Sequence, residues 1–260
     1  MKKLCLLVLL AISLPAIAQS AFNGTWKGDL SSYQPPTKPD EYLLKDGMYH
    51  CKTCVPPYDI KADGTDQAVK GQPYMDTVAI KVVDDRTIQE TDKKGGKTVA
   101  TSKSVVSPDG KTVRYEFSDS SNTNSDPVTG KGEAVRVGTQ PPGSHAISGS
   151  WRNTKMENMS DNGLLITYKV EGDSLSMSTK TGQSYTAKLD GTEAPYKGDP
   201  GTTSVSVKSM GKNTIEETDK RDGKVITVTK MTVSADGKTM NIQWEDKLHG
   251  TTGKIMATKQ

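Results

Sequence analysis

The chain repeats itself, and this limits its possible folds more than any other feature of the sequence. Asp63-Gly64-Thr65 recurs as Asp190-Gly191-Thr192, an offset of 127 residues. The offset holds without a gap from Asp63 to Asp119 against Asp190 to Asp246, and 24 of those 57 positions are identical. Thr87-Ile88-Gln89-Glu90-Thr91-Asp92-Lys93 faces Thr214-Ile215-Glu216-Glu217-Thr218-Asp219-Lys220. Upstream, Gly24-Thr25-Trp26 matches Gly149-Ser150-Trp151 at offset 125. Downstream, Thr129-Gly130-Lys131 matches Thr252-Gly253-Lys254 at offset 123, so the first copy carries a longer loop around residues 120–127. The copies run from 22 to 137 and from 146 to 260, with residues 138–145 as a short linker. So long a period predicts two small domains, because propeller and solenoid units repeat every ~20–50 residues.

Each copy reads as short strands between turns. Gly95-Gly96 and Asp222-Gly223 are two-residue hairpin turns of the kind that need positive φ. Ser107-Pro108-Asp109-Gly110-Lys111 and Ser234-Ala235-Asp236-Gly237-Lys238 are tight turns. Between them lie seven to nine strand-like runs per copy, such as 77–83, 86–93, 98–107, 111–117 and 133–137. Composition agrees. The chain holds thirty Thr, and after residue 18 it has eighteen Val, branched side chains suited to a pleated surface. Leu, Ile, Val and Phe there make up only 37 of 242 residues. Such thinness signals disorder only with high net charge, and here 34 basic minus 31 acidic residues leave +3. These numbers exclude a helical bundle, a polytopic membrane protein and a nucleic-acid binder driven by bulk positive charge. The expected architecture is all-β: two tandem antiparallel up-and-down barrels of about eight strands each, with an open sandwich as the rival.

The N-terminus carries an address. Met1-Lys2-Lys3 precedes an apolar run over residues 4–14, and Ala16-Ile17-Ala18 fits the small-x-small cleavage rule. Residues 1–18 are therefore expected to be a signal peptide, with Gln19 the mature start and the protein secreted or periplasmic. No later segment is apolar enough to span a bilayer as a helix, so integral membrane association is not expected. In an exported protein Cys51-Lys52-Thr53-Cys54 is expected to form a disulfide. A redox pair, or a metal site with His50, are the alternatives, and a zinc site lacks its fourth ligand. Cys51 and Cys54 align with Ser178 and Thr181, so the second copy folds without the bridge. No metal and no cofactor is expected.

A Gly-x-Trp at the opening of the first strand, twice, each before some hundred residues of hairpins, resembles the lipocalin (calycin) pattern. The chain after residue 18 looks like secreted bacterial lipocalin-like proteins with Gly-Thr-Trp, Asp-Gly-Lys, Glu-Thr-Asp-Lys and Ser-x-Asp-Gly-Lys-Thr motifs, here in tandem. The resemblance implies two eight-stranded barrels, with Trp26 and Trp151 each plugging the closed end of its own barrel. It implies Arg136 as the basic partner of the Trp in copy 1, with Lys259 at the matching place in copy 2. It suggests ligand binding and carries no reaction.

Glu90 and Glu217, and Lys103 and Lys230, recur in both copies. Pairing across the two-residue turn at 95–96 sets Glu90 opposite Thr101 and Ile88 opposite Lys103. Alternation then gives Ile88, Glu90, Asp92, Val99, Thr101 and Lys103 one face. In copy 2 that face is Ile215, Glu217, Asp219, Ile226, Val228 and Lys230. The opposite face, with Thr87, Thr91, Thr98 and Ser102, is polar, so the first face is the better candidate for the interior. A Glu and a Lys inside each barrel would orient a polar ligand; at the rim they would be a hairpin charge pair. Only His50, His145 and His249 exist, and no nucleophile elbow, metal-binding His pair or phosphate loop appears. The chain therefore reads as non-enzymatic, binding a small polar or amphipathic molecule. The alternative is a structural or protein-interaction module whose barrels are filled and hold no ligand. An interior cavity of ~300 Å³ or more separates the two.

Overall fold

Alternation of inward apolar or small residues with outward polar ones draws nearly the whole chain into strands. The computed structural model describes residues 21–122 and 126–260, and the expected signal segment lies outside them. Among the described residues there is no α-helix, only a single 3-10 turn at Asp161–Gly163.

In chain order the first strands are β1 (Gly24–Gln34), β2 (Asp40–Lys45), β3 (Met48–Cys51), β4 (Tyr58–Lys61) and β5 (Gln67–Ala68). Then come β6 (Thr77–Asp84), β7 (Thr87–Lys94), β8 (Lys97–Val106), β9 (Thr112–Asp119) and β10 (Val128–Val137). The second half opens with β11 (Gly149–Met159), β12 (Leu165–Glu171), β13 (Ser174–Thr179), β14 (Ser184–Lys188) and β15 (Asp190–Pro195). It ends with β16 (Ser204–Gly211), β17 (Thr214–Arg221), β18 (Lys224–Val233), β19 (Thr239–Asp246) and β20 (Thr251–Lys259). They form two ten-stranded antiparallel sheets, each curled almost into a closed barrel. The second is pinned shut where Ser184 and Lys197 exchange backbone hydrogen bonds of 3.0 and 2.9 Å. In the first, Gly64 N donates to Ile80 O across 2.9 Å. The strand number is ten, not the expected eight. The short strands β4 and β5, on either side of the Asp63-Gly64-Thr65 turn, are too brief to show alternation in the sequence.

The barrels do not coincide with the sequence repeats. One sheet runs β4-β3-β2-β11-β10-β9-β8-β7-β6-β5, and the other runs β14-β13-β12-β1-β20-β19-β18-β17-β16-β15. The first strand of each copy is thus built into the other barrel. The first barrel is the continuous stretch 40–159, whereas the second is closed by the N-terminal strand β1 between β12 and β20. Residues 138–145, expected to link two domains, instead connect β10 to β11 within the first barrel. There His145 N donates to Leu44 O across 2.9 Å. The chain crosses between barrels at 35–39 and 160–164. The first crossing is Pro35-Pro36-Thr37-Lys38-Pro39, whose three prolines fix φ and hold the residues before them extended. Such a segment cannot fold back as a hairpin, so β1 is carried away from β2. Once β1 occupies its place in the second barrel, β11 has no place there and fills the vacancy in the first.

The tryptophans follow their strands, which corrects their expected placement. Trp26 lies fully buried in the second barrel and Trp151 2% exposed in the first. Their indole N–H groups donate to Phe22 O at 2.9 Å and Ile147 O at 2.7 Å. The cations stay in their own barrels and meet the incoming tryptophans. The Arg136 guanidinium sits 4.1 Å from the centroid of Trp151, and Lys259 Nζ sits 5.2 Å from that of Trp26. All three nitrogens of Arg136 donate to carbonyls: Gly110 at 2.6 Å, Ser148 at 2.5 Å and Ala146 at 2.6 Å. The Gly of each Gly-x-Trp has a specific task. Gly24 and Gly149 hold φ of +130° and +124°, and a Cβ on either would lie 2.7 Å from the Lys259 or Arg136 side chain. Side chains just before each swapped strand also bond across: Asn23 Oδ1 accepts from Val170 N at 2.6 Å, and Ser148 Oγ from Leu44 N at 2.8 Å.

Residues 38–160 expressed alone are expected to fold cooperatively, and residues 22–137, the first sequence repeat, are not, as read by circular dichroism melts. Deleting residues 22–34 from the full chain is expected to expose the second barrel to limited proteolysis while the first stays resistant. The reverse pattern would disprove the exchange.

Candidate functional site

A single β-bulge decides what the barrels enclose. In the hairpin of β7 and β8, Lys94 pairs Lys97 and Lys93 pairs Thr98, but Asp92 pairs Ala100, which leaves Val99 unpaired. From there on Glu90 faces Ser102, Ile88 faces Ser104 and Gln89 faces Lys103. The one-residue shift turns Lys103 outward, where it is exposed. The second copy repeats this. Asp219 pairs Thr227 and Lys220 pairs Val225, so Ile226 bulges and Lys230 faces outward opposite Glu216. The expected interior Glu–Lys pairs are therefore not assembled, and neither Thr101 nor Val228 shares the inner face. The bulged carbonyls are still bonded: Val99 O accepts from Ser120 N at 2.7 Å, and Ile226 O from Lys247 N at 2.8 Å.

What remains inside is acid. In the first barrel Glu90 and Asp92 stand two residues apart on the inner face of β7, beside an interior cavity of about 350 Å³. The wall is apolar toward Trp151, with Ile88, Val113, Ala134 and Ile147, and polar elsewhere. Tyr42, Tyr49, Tyr58 and Tyr115 line it, with Ser102, Ser104, Asp40 and Asn153. Tyr42 and Tyr49 stack with centroids 6.0 Å apart. Tyr115 OH donates to Asn153 Oδ1 at 2.9 Å, and Asn153 Nδ2 to Asp40 Oδ2 at 3.3 Å. Gly132 on β10 makes room for Tyr115, since a Cβ there would meet the phenol oxygen at 2.4 Å.

Neither acid is well satisfied. Tyr58 OH reaches Glu90 Oε1 only at 3.5 Å, and Asp92 Oδ1 is buried with no hydrogen-bond partner. Burial raises the Glu90 carboxyl above its ordinary range, against the lowering effects of its bonds with Tyr58 and Asp92. Burial first, then repulsion from Glu90 and Asp119, pushes Asp92 up to about 8. Burial raises Asp40 too, opposed by His249 and the Asn153 bond. Desolvation lifts Tyr42, Tyr49 and Tyr58 far enough that they stay neutral phenols.

The second barrel repeats the acids but fills the space. Glu217 is buried and accepts a short hydrogen bond from Tyr185 OH, while Asp219 Oδ1 is again unpartnered. Burial sets Glu217 at about 7, and burial with repulsion from Glu217 and Asp199 sets Asp219 at about 8. Ser104 and Val113 are replaced by Met231 and Met240, which are 1% and 0% exposed. Strand register also revises one alignment. Cys51 pairs Tyr42 and Met177 pairs Tyr168, so Met177, not Ser178, stands in place of Cys51. Cys51 and Cys54 are joined as a disulfide along the cavity wall. At the same turn of the second barrel, Thr179 and Thr181 both bond Gln183 Oε1, a polar clasp instead of a covalent one. His50 points to the outer face, where its Nδ1 meets Asp59 Oδ1 at 2.7 Å, so it does not join the cysteines. Among the described residues no group of three or more His, Cys, Asp or Glu is placed to hold a metal ion.

Sequence reading placed Glu90 and Asp92 together on the interior face but missed the tyrosines, Asp40 and Asn153. Three of the four tyrosines come from the consecutive strands β2, β3 and β4, and Tyr115 joins them from β9, far along the chain. No protein-family model matches the chain, and no curated protein matches it. No helix among the described residues is long and apolar enough to cross a membrane.

Carboxylates with folded pKa values above their unfolded ~4 hold protons more tightly in the folded state. Their contribution to stability is full below about pH 4 and is lost as pH rises to about 8. The exposed turn acids act oppositely. Asp63, Asp109, Asp190 and Asp236 are lowered by side-chain hydrogen bonds to neighbouring hydroxyls, and lose their stabilisation as pH falls below ~4. Thermal melts are expected to peak near pH 5 and decline toward pH 8, with Asp92→Asn plus Asp219→Asn flattening that decline. An unchanged slope in the double variant would refute the assignment. Replacing both cysteines by Ser is expected to cost the first barrel ~2 kcal/mol in denaturant melts.

Proposed function

We propose that this is a secreted or periplasmic, lipocalin-like, non-catalytic binding protein whose first barrel holds one small molecule. The second barrel, filled by its own side chains, serves as a structural partner. The observation that carries this reading is the contrast between two copies of one fold. The first carries a cavity of about 350 Å³ that opens to the outside, at the lower end of the ~300–1,000 Å³ typical of small-molecule sites. The second places Met177, Met231 and Met240 at the corresponding inner positions. Polar groups converge on the first cavity from several strands and an apolar floor faces them, the usual make-up of a specific ligand site. The basic n-region and apolar run before Ala18 support export.

Ser104→Met puts the second barrel's residue into the first cavity. Native mass spectrometry of protein purified from its own host is expected to show a small-molecule adduct at one per chain on the natural protein and none on Ser104→Met. An adduct-free natural protein across several preparations would leave the filled structural module as the answer. Edman sequencing of the exported protein is expected to begin at Gln19.

A further inference from the structure

The cavity of the first barrel has an electrostatic character that its size alone does not convey. Its lining includes the carboxyl groups of Glu90 and Asp40 and no Lys, Arg or His. The nearest stacked cation, Arg136, is committed on all three nitrogens to carbonyls at the closed end. Lys103, the one cation that hairpin arithmetic would have brought inside, is turned out by the bulge at Val99. A carboxylate inside a barrel needs a positive partner or strong donors, and here the protein supplies neither fully. Glu90 has a phenol at 3.5 Å and the neighbouring Asp92 carboxyl as hydrogen-bond partners, neither of them a cation, and Asp92 itself keeps one oxygen buried and unbonded.

The second barrel is an internal control. There Tyr185 closes tightly on Glu217, and Met231 Sδ receives the Tyr168 hydroxyl. The same glutamate is thus held by a close phenol in the barrel packed with methionine, and has only a distant phenol and an acid neighbour beside the cavity of the first. Tyr42, Tyr49 and Tyr58 lie near Glu90 and Tyr115 lines the same cavity, and aromatic faces attract a cation by their quadrupoles. Below lies the apolar floor of Val113, Ala134, Ile147 and Trp151.

Building on the binding role proposed above, we infer that the first barrel is a site for a small organic cation. Its ammonium group lies against Glu90 among Tyr42, Tyr49 and Tyr58, and its apolar body rests on the Trp151 floor. An anionic amphiphile of equal size meets the same carboxylates and is repelled. A neutral one leaves Glu90 unpaired.

Three probes of one shape separate these cases: phenethylamine, 2-phenylethanol and phenylacetate, titrated calorimetrically into the full mature protein at pH 7. The expected result is saturable binding of the amine at one per chain and at least tenfold weaker binding of the other two. Glu90→Gln is expected to weaken the amine by about tenfold or more, the loss for a hydrogen bond to a charged group, and to leave the alcohol unchanged. Glu217→Gln, in the filled barrel, is expected to leave the amine unchanged, and melts of both variants confirm folding. If Glu90→Gln fails to fold, Ser104→Met must abolish amine binding instead. Alcohol or carboxylate binding as well as the amine, or indifference of the amine to Glu90→Gln in a folded variant, overturns the cation inference while leaving a binding barrel. Saturable binding of none of the three overturns the cation inference and the binding role together.

Discussion

Each barrel closes on a strand drawn from the other copy, and the rest of the structure depends on that closure. The chain has few large apolar side chains, so an open sheet would leave long unpaired edges that its thin core could not offset. Exchange of β1 and β11 sets a Trp, stacked by a cation and bonded through its indole N–H, at one end of each barrel. It also makes the halves unequal. The first barrel is continuous in sequence. The second is completed by β1, the first strand of the described residues, which pairs with the last strand, β20.

The second controlling feature is small. One extra residue in the β7–β8 hairpin, and another in β17–β18, rotates half of a strand by one position. Side chains alternate with period two, so the shift swaps every later residue between inside and outside. Lysines go to solvent, and Ser102 in one copy and Thr229 in the other come to stand opposite glutamates that keep their place on the neighbouring strand. An interior that would have been a neutral ion pair becomes a region of acid, whose charge is held down by protons or awaits a partner.

From this common frame the copies diverge in ways that matter for function. Ser104, Val113 and Cys51 in one become Met231, Met240 and Met177 in the other, and a chamber becomes a packed core. The disulfide of the first and the threonine–glutamine clasp of the second fasten the same turn by different chemistry. A duplicated fold has kept its closure and its buried acids in both halves, while the cavity beside Glu90 lies in the half that is contiguous in sequence.

Some of this could be read from residue order. Repeats, turn signals and β-branched composition are legible along the chain, so the two-copy, all-β, barrel-like architecture followed from them; the shared face of Glu90 and Asp92 followed from strand alternation, and the Cys51–Cys54 pairing from two cysteines three residues apart in a chain read as exported. Strand number blurred where β4 and β5 were too short to alternate. Partnership of whole strands was beyond reach, because both copies offer β1 the same kind of slot and the choice rests on a proline-held crossing and on the other copy's strand. The bulge was hidden for a related reason: a two-residue turn predicts one register, and only pairing along the full ladder reveals the residue that slips. The sequence by itself determined what kinds of surface these strands would have. The tertiary structure decided which barrel each strand would complete and which way each side chain would face, since both are settled by contacts between residues a hundred or more positions apart.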